Sequence, residues 1–173
     1  MSNKERKLKI FLKRKNKILF WIFAVFSVFI MAVIFVFSHQ TSLESAQISE
    51  GLSGALLNVF ESEDSQTWAL NFVILRIFIR KIAHVFLFAV LSGCQTFAAI
   101  NVNTPKKFVK YLVVLLIGLG YAIFDEVHQF FIEGRSSEII DVVLDFFGVV
   151  SGLIFAMIFY KIIQIIAKKY KKS

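Results

Sequence analysis

The sequence predicts an all-α membrane protein: four transmembrane helices, with an amphipathic interfacial helix before the second span. Three observations lead there. First, 57% of the 173 residues are apolar, with 21 Phe and a single Pro. A soluble domain would sit nearer half and alternate more. Second, the apolar residues come in blocks. At about 1.5 Å rise per residue these are long enough to cross a hydrocarbon core of roughly 30 Å. Third, basic residues gather at particular ends of those blocks, as membrane topology requires. The net charge of +8 therefore follows from the spans and does not point to nucleic acid.

The single Cys94 lies in an apolar run. It can form no internal disulfide and is no metal site by itself. No internal repeat is present, and no low-complexity segment beyond the basic termini. The chain divides into a basic N-terminus (1–17), a four-helix membrane domain (18–166) and a basic tail (167–173).

The N-terminus carries eight Lys and Arg against Glu5 alone. Ile18–Ser38 follows without a charge and forms the first span. It is too long for the apolar region of a signal peptide, and Phe37-Ser38-His39 is a poor small-residue cleavage site. Residues 39–68 are polar and acidic. Leu52, Leu56, Leu57, Val59 and Phe60 can line one face of a short amphipathic helix on the membrane surface, and Trp68 suits an interfacial anchor. From Trp68 the chain is apolar but interrupted by Arg76, Arg80 and Lys81. That pattern predicts an approach helix along the interface, then a second span over Ile82–Ile100 with His84 in its first turn.

The linker Asn101–Lys107 holds Pro105. The third span covers Phe108–Phe124, and residues 125–138 form a polar connection turning at Gly134. Ser136 or Ser137 can cap the next helix, with Glu138 suiting its dipole. The fourth span covers Ile139–Ile166.

Lys and Arg placement sets the expected orientation. One face receives eight basic residues from the N-terminus, three from Lys106, Lys107 and Lys110, and five from Lys161 onward: 16 of the 20. The other face holds Arg76, Arg80, Lys81, Arg135 and 11 of the 12 acids. Both termini are therefore expected to be cytoplasmic in the plasma membrane. Ser38–Gln40, Arg80–His84 and the 125–145 cluster then meet at the outer face.

That cluster carries the candidate chemistry. Asp125, His128 and Gln129 share a helical face at i, i+3 and i+4, while Glu126 points elsewhere. An Asp beside a His can orient an imidazole for acid–base work. The same pair can instead ligate a metal with Asp145 and His84, or form a headgroup-wetted patch at a helix end. No residue is assigned as a metal ligand on spacing alone. Asp141 suits the first turn of the fourth helix. Asp145 lies about 12 Å along it from Ser137, where an unpaired carboxylate would cost a few kcal/mol. It should face Arg80, Lys81 or Arg135, or be protonated, and its plainest role is a buried ion pair that sets helix register. Gly148, Ser151 and Gly152 form a small-residue face for close helix packing, and Gly118 and Gly120 can do the same on the third helix. Arg80 and Lys81 can bind a phosphate or carboxylate, or snorkel to lipid phosphates. No nucleophile elbow, phosphate loop or zinc-protease motif is present, and no cofactor follows. The discontinuous helix pair typical of transporters is also missing.

Over nearly its whole length the chain resembles the VanZ-like membrane proteins, a family named for a teicoplanin-resistance protein. The resemblance rests on Phe37-Ser38-His39-Gln40 at the exit of the first helix and on Arg80-Lys81-Ile82-Ala83-His84 at the start of the second. Most specific is Asp125-Glu126-Val127-His128-Gln129, followed by Gly134-Arg135 and then Asp141 through Asp145 to Gly148. Leu87 and Phe88 depart from the Glu-Tyr that members often carry there.

The resemblance implies a four-helix bacterial cell-envelope protein linked to low-level glycopeptide resistance. It would bind or modify a membrane lipid or lipid-linked cell-wall precursor. Asp125, His128, Asp145 and His84 are then the candidate catalytic residues. Arg80, Lys81, Gln129, Arg135, Asp141, Glu126 and Gln40 are the candidate substrate-binding residues. The alternative is a non-enzymatic scaffold or lipid-binding protein whose buried charges are structural.

Overall fold

A computed structural model describes residues 3–40, 65–102, 106–132 and 138–170. Among them are four helices and no strand: α1 (Asn3–His39), α2 (Ser65–Ile100), α3 (Lys107–Phe130) and α4 (Ile139–Tyr170). Each contains a stretch long and apolar enough to cross a membrane, namely Ile10–His39, Ile77–Ile100, Phe108–Phe130 and Ile139–Tyr170. The four-span, all-helical expectation therefore holds. The apolar face of Leu52–Phe60, the linker Pro105, the turn at Gly134, Arg135 and the Ser136 or Ser137 cap lie outside the described residues, as does the Trp68 side chain.

Helix ends differ from the sequence reading in one consistent way: the helices run on past the apolar blocks. α1 begins at Asn3 rather than at Ile18. α2 is one helix from Ser65, where the sequence suggests an approach helix and a separate span. α3 continues through Asp125 to Phe130. Charges interrupt a hydropathy signal, but only Pro, Gly or a competing side-chain bond interrupts a helix. No Pro falls within any of these helices, and Arg76, Arg80 and Lys81 are good helix formers. Asp125, Glu126, His128 and Gln129 are thus helical residues, not part of a connection.

The helices run alternately up and down. α1 and α3 are parallel, as shown by Met31 beside Tyr121 and Ser38 beside Asp125. α2 and α4 are parallel too, running the other way, with Val85 beside Gly148 and Ala89 beside Gly152. A Cβ on Gly148 would run into the Val85 carbonyl and Phe88, and one on Gly152 into the Ala89 backbone. The α2 and α4 backbones touch there, as the small-residue face predicts. Gly118 packs on Val149 of α4, whereas Gly120 has nothing within 4 Å of where its Cβ would be.

The core is small: Ile34, Phe88, Leu91, Ala122 and Val149 are fully buried. Large side chains such as Phe26, Phe86, Phe147 and Phe155 point outward. Water would penalise so much exposed hydrocarbon, while lipid tails solvate it. Lys110 closes the basic end by donating to the Ile100 (3.4 Å) and Val102 carbonyls, which leaves a cation at the C-terminus of α2 where the dipole favours it.

Candidate functional site

All four helices contribute to one end of the bundle, opposite the end that holds Lys110. The parallel register of α2 on α4 builds the first half. With the two backbones in contact at Gly148 and Gly152, residues up to two turns earlier on α4 meet residues up to one turn before Val85 on α2. Lys81 pairs with Asp141 and lies 3.6 Å from Glu138. His84 and Asp145 come together one turn further in, and both are buried.

α3 brings the second half. Asp125 is fully buried, and Glu126 and Gln129 nearly so. Asp125 Oδ2 accepts from Ser38 Oγ of α1 and from Gln129 Nε2, both at 2.8 Å. His84 Nδ1 lies 3.8 Å from the same oxygen, a distance for charge attraction rather than a hydrogen bond. Asp125 Oδ1 is buried with no hydrogen-bond partner among the described residues. Buried carboxylate oxygens without partners are costly and rare. His84, Asp125 and Asp145 each place one ligand-type atom within 4.8 Å of the others.

Glu126 points away from that trio, as the spacing suggests, and has a distinct task. Its Oε1 accepts the Glu138 backbone N–H at 2.6 Å. It thereby satisfies an N–H just ahead of the first turn of α4 and fastens α3 to α4 across residues 133–137. Phe131 and Ile132 donate back to the His128 and Gln129 carbonyls at 3.1 and 3.0 Å, ending α3.

His128 is turned elsewhere. Its Nε2 lies 3.3 Å from Nδ1 of His39, and its ring stacks on Phe35 of α1 at 4.5 Å. The imidazole that Asp125 meets is therefore His84 of another helix, not His128 of its own. Ser38 and His39, which charge counting puts level with the cluster, are the α1 partners of Asp125 and His128. Gln40 follows α1 and is half-buried.

Between these side chains is a pocket of about 20 Å³, lined by Arg80, Lys81, His84, Gln129, Asp141, Leu144 and Asp145. It has room for about one water or ion. Lys81 is engaged by acids, so half-buried Arg80 is the lining cation with a fork suited to oxyanions. A second hollow differs in every respect. It is an apolar groove of about 490 Å³ nearer the basic end, between α1, α2 and α3, bordered by Ala24, Met31, Gln95, Ala98, Val113 and Ile117 among others.

Residues 23–160 match the family model described as VanZ/LLP1. No curated protein and no solved structure matches the chain.

Proposed function

The chain belongs to the VanZ/LLP1 family, and on that premise we propose that its polar end binds, and acts on, an anionic group of a lipid-linked or cell-wall substrate at the outer face of the membrane. The consequence would be reduced glycopeptide action of the teicoplanin type. The observation that carries this reading is the meeting of buried His84, Asp125 and Asp145, of which His84 and Asp145 line one small pocket with Arg80. Arg80, with Arg135 from the neighbouring connection, would hold a phosphate or carboxylate. A buried imidazole between two carboxylates can move a proton to or from the bound group. His128, on the α1 side, would contact the substrate at the rim. The placement of this end outside the cell rests on the 16 basic residues expected on the cytoplasmic side.

The test is teicoplanin susceptibility of cells expressing Asp125→Ala, His128→Ala or Arg135→Ala at matched membrane abundance. Increased susceptibility in each is expected. Full activity in all three overturns the assignment.

A second reading is a non-enzymatic scaffold or lipid-binding protein. The clasps of Lys81 on Asp141 and of Glu126 on the Glu138 N–H favour it, because both serve helix register. Asp145→Asn separates the two readings. It should lower folded abundance in a scaffold, and spare abundance while removing activity in a working site.

A further inference from the structure

We propose that His84, Asp125 and Asp145 bind a divalent cation. This deepens the reading of the polar end as a ligand site by giving that site an ion, and it rests on that reading.

Charge balance is the first argument. Asp125 and Asp145 are two buried carboxylates facing each other among hydrocarbon-facing helices. Of the two cations on the adjoining pocket, Lys81 is engaged by Asp141 and Glu138, which leaves Arg80 as a single positive charge against the two carboxylates. Buried carboxylates persist when paired or when they coordinate a metal, and a divalent ion would neutralise Asp125 and Asp145 together.

Geometry is the second. The three ligand-type atoms lie within 4.8 Å of one another. An ion about 2.1 Å from each ligand asks for ligand spacings of roughly 3–4 Å, so side-chain rotations of about 1 Å complete the site. Asp125 is fully buried, and its Oδ1 has no hydrogen-bond partner among the described residues. Its other oxygen is fixed by Ser38 and Gln129, the kind of outer support that orients a ligating carboxylate. The adjoining pocket of about 20 Å³ is lined by His84 and Asp145 and has the size of one ion or water.

The donor set is one imidazole nitrogen and two carboxylate oxygens. It suits Mn²⁺ or Zn²⁺ and leaves coordination positions open toward the pocket. Arg80 on the same pocket would meet an oxyanion whose other oxygen sits on the ion.

The full chain, purified in nanodiscs, stripped of metal and titrated with Mn²⁺ and Zn²⁺, should take up about one ion per chain and rise in thermal midpoint. Mn²⁺ bound to it should show nitrogen hyperfine coupling. His84→Gln should abolish that coupling, and Asp145→Asn should weaken Mn²⁺ binding at least about 10-fold. Should Asp145→Asn fail to fold, the His84→Gln spectrum decides alone. Uptake below roughly 0.1 ion per chain with an unmoved midpoint overturns the proposal, as does nitrogen coupling that survives in His84→Gln. The readout is metal content and spectrum, not susceptibility. An ion bound as described in a chain whose Asp125, His128 and Arg135 variants keep full resistance would overturn the proposed function and leave the ion site standing.

Discussion

The α2–α4 seam and the α1–α3 flank are built by opposite rules. Along the seam, two parallel helices touch backbone to backbone, because Gly148 and Gly152 leave no side chain between them and the Val85 and Ala89 carbonyls. Along the flank, α1 and α3 meet near the polar end through Ser38, His39 and Phe35, and lower down through the Tyr121 hydroxyl on the Met31 carbonyl at 2.6 Å. Towards the basic end the flank parts into an apolar groove of about 490 Å³. Seam residues His84 and Asp145 are thus carried by the tightest contact in the bundle. Ser38 and His39 are carried by a helix with a hollow beside it. The side chains most in need of fixed geometry sit where the chain has no freedom, and their α1 partners sit where it has some.

Gly152→Leu attacks that contrast most strongly. A side chain there meets the Ala89 backbone, which cannot give way as a flexible side chain can. Overpacking costs typically 1–3 kcal/mol and here should reach or exceed the top of that range. Folded, monodisperse protein in detergent should fall severely, while Gly120→Leu, facing open space, should fold like the parent. Equal yields from the two would break the contrast.

Ser38→Ala comes next. It removes a hydrogen bond to a buried carboxylate, worth about 1.5–3 kcal/mol, and thermal unfolding should register that loss. Tyr121→Phe removes a neutral bond between α3 and α1 and should cost about 0.5–1.5 kcal/mol. The smallest effect is expected from Ala99→Leu, which adds hydrocarbon to the groove. It should change stability by less than about 1 kcal/mol. A large loss there would mean that the flank is packed as closely as the seam.

The spans were legible because a membrane demands long apolar blocks, and four of them are plain in the chain. Their limits were not, since α1 and α3 extend through Lys13–Lys17 and through Asp125–Gln129, where hydropathy falls but nothing breaks a helix. The glycine face was legible from its i, i+4 spacing. What it touches was not, because the offset between two helices is a property of the pair.

The same limit explains Asp125 and His128. Three residues apart, they share a broad helical face, yet they differ by about 60° around the axis. That is enough to send Asp125 inward to His84 and His128 sideways to His39. Gln129, four residues on, does bond Asp125 as its spacing allows. Ser38 carried a weak signal, since charge counting puts it level with the cluster. Nothing along the chain singles out Asp125 as its partner.

Val85 and Ala89 each place a carbonyl where a bulkier α4 would need room. Gly148 and Gly152 therefore act as a detent. If α4 slid one turn, about 5.4 Å along α2, Asp145 or Ala156, which share the glycine face, would be carried towards a notch shaped for a hydrogen atom. The spacing of His84 from Asp145 is consequently indexed in steps rather than adjusted continuously.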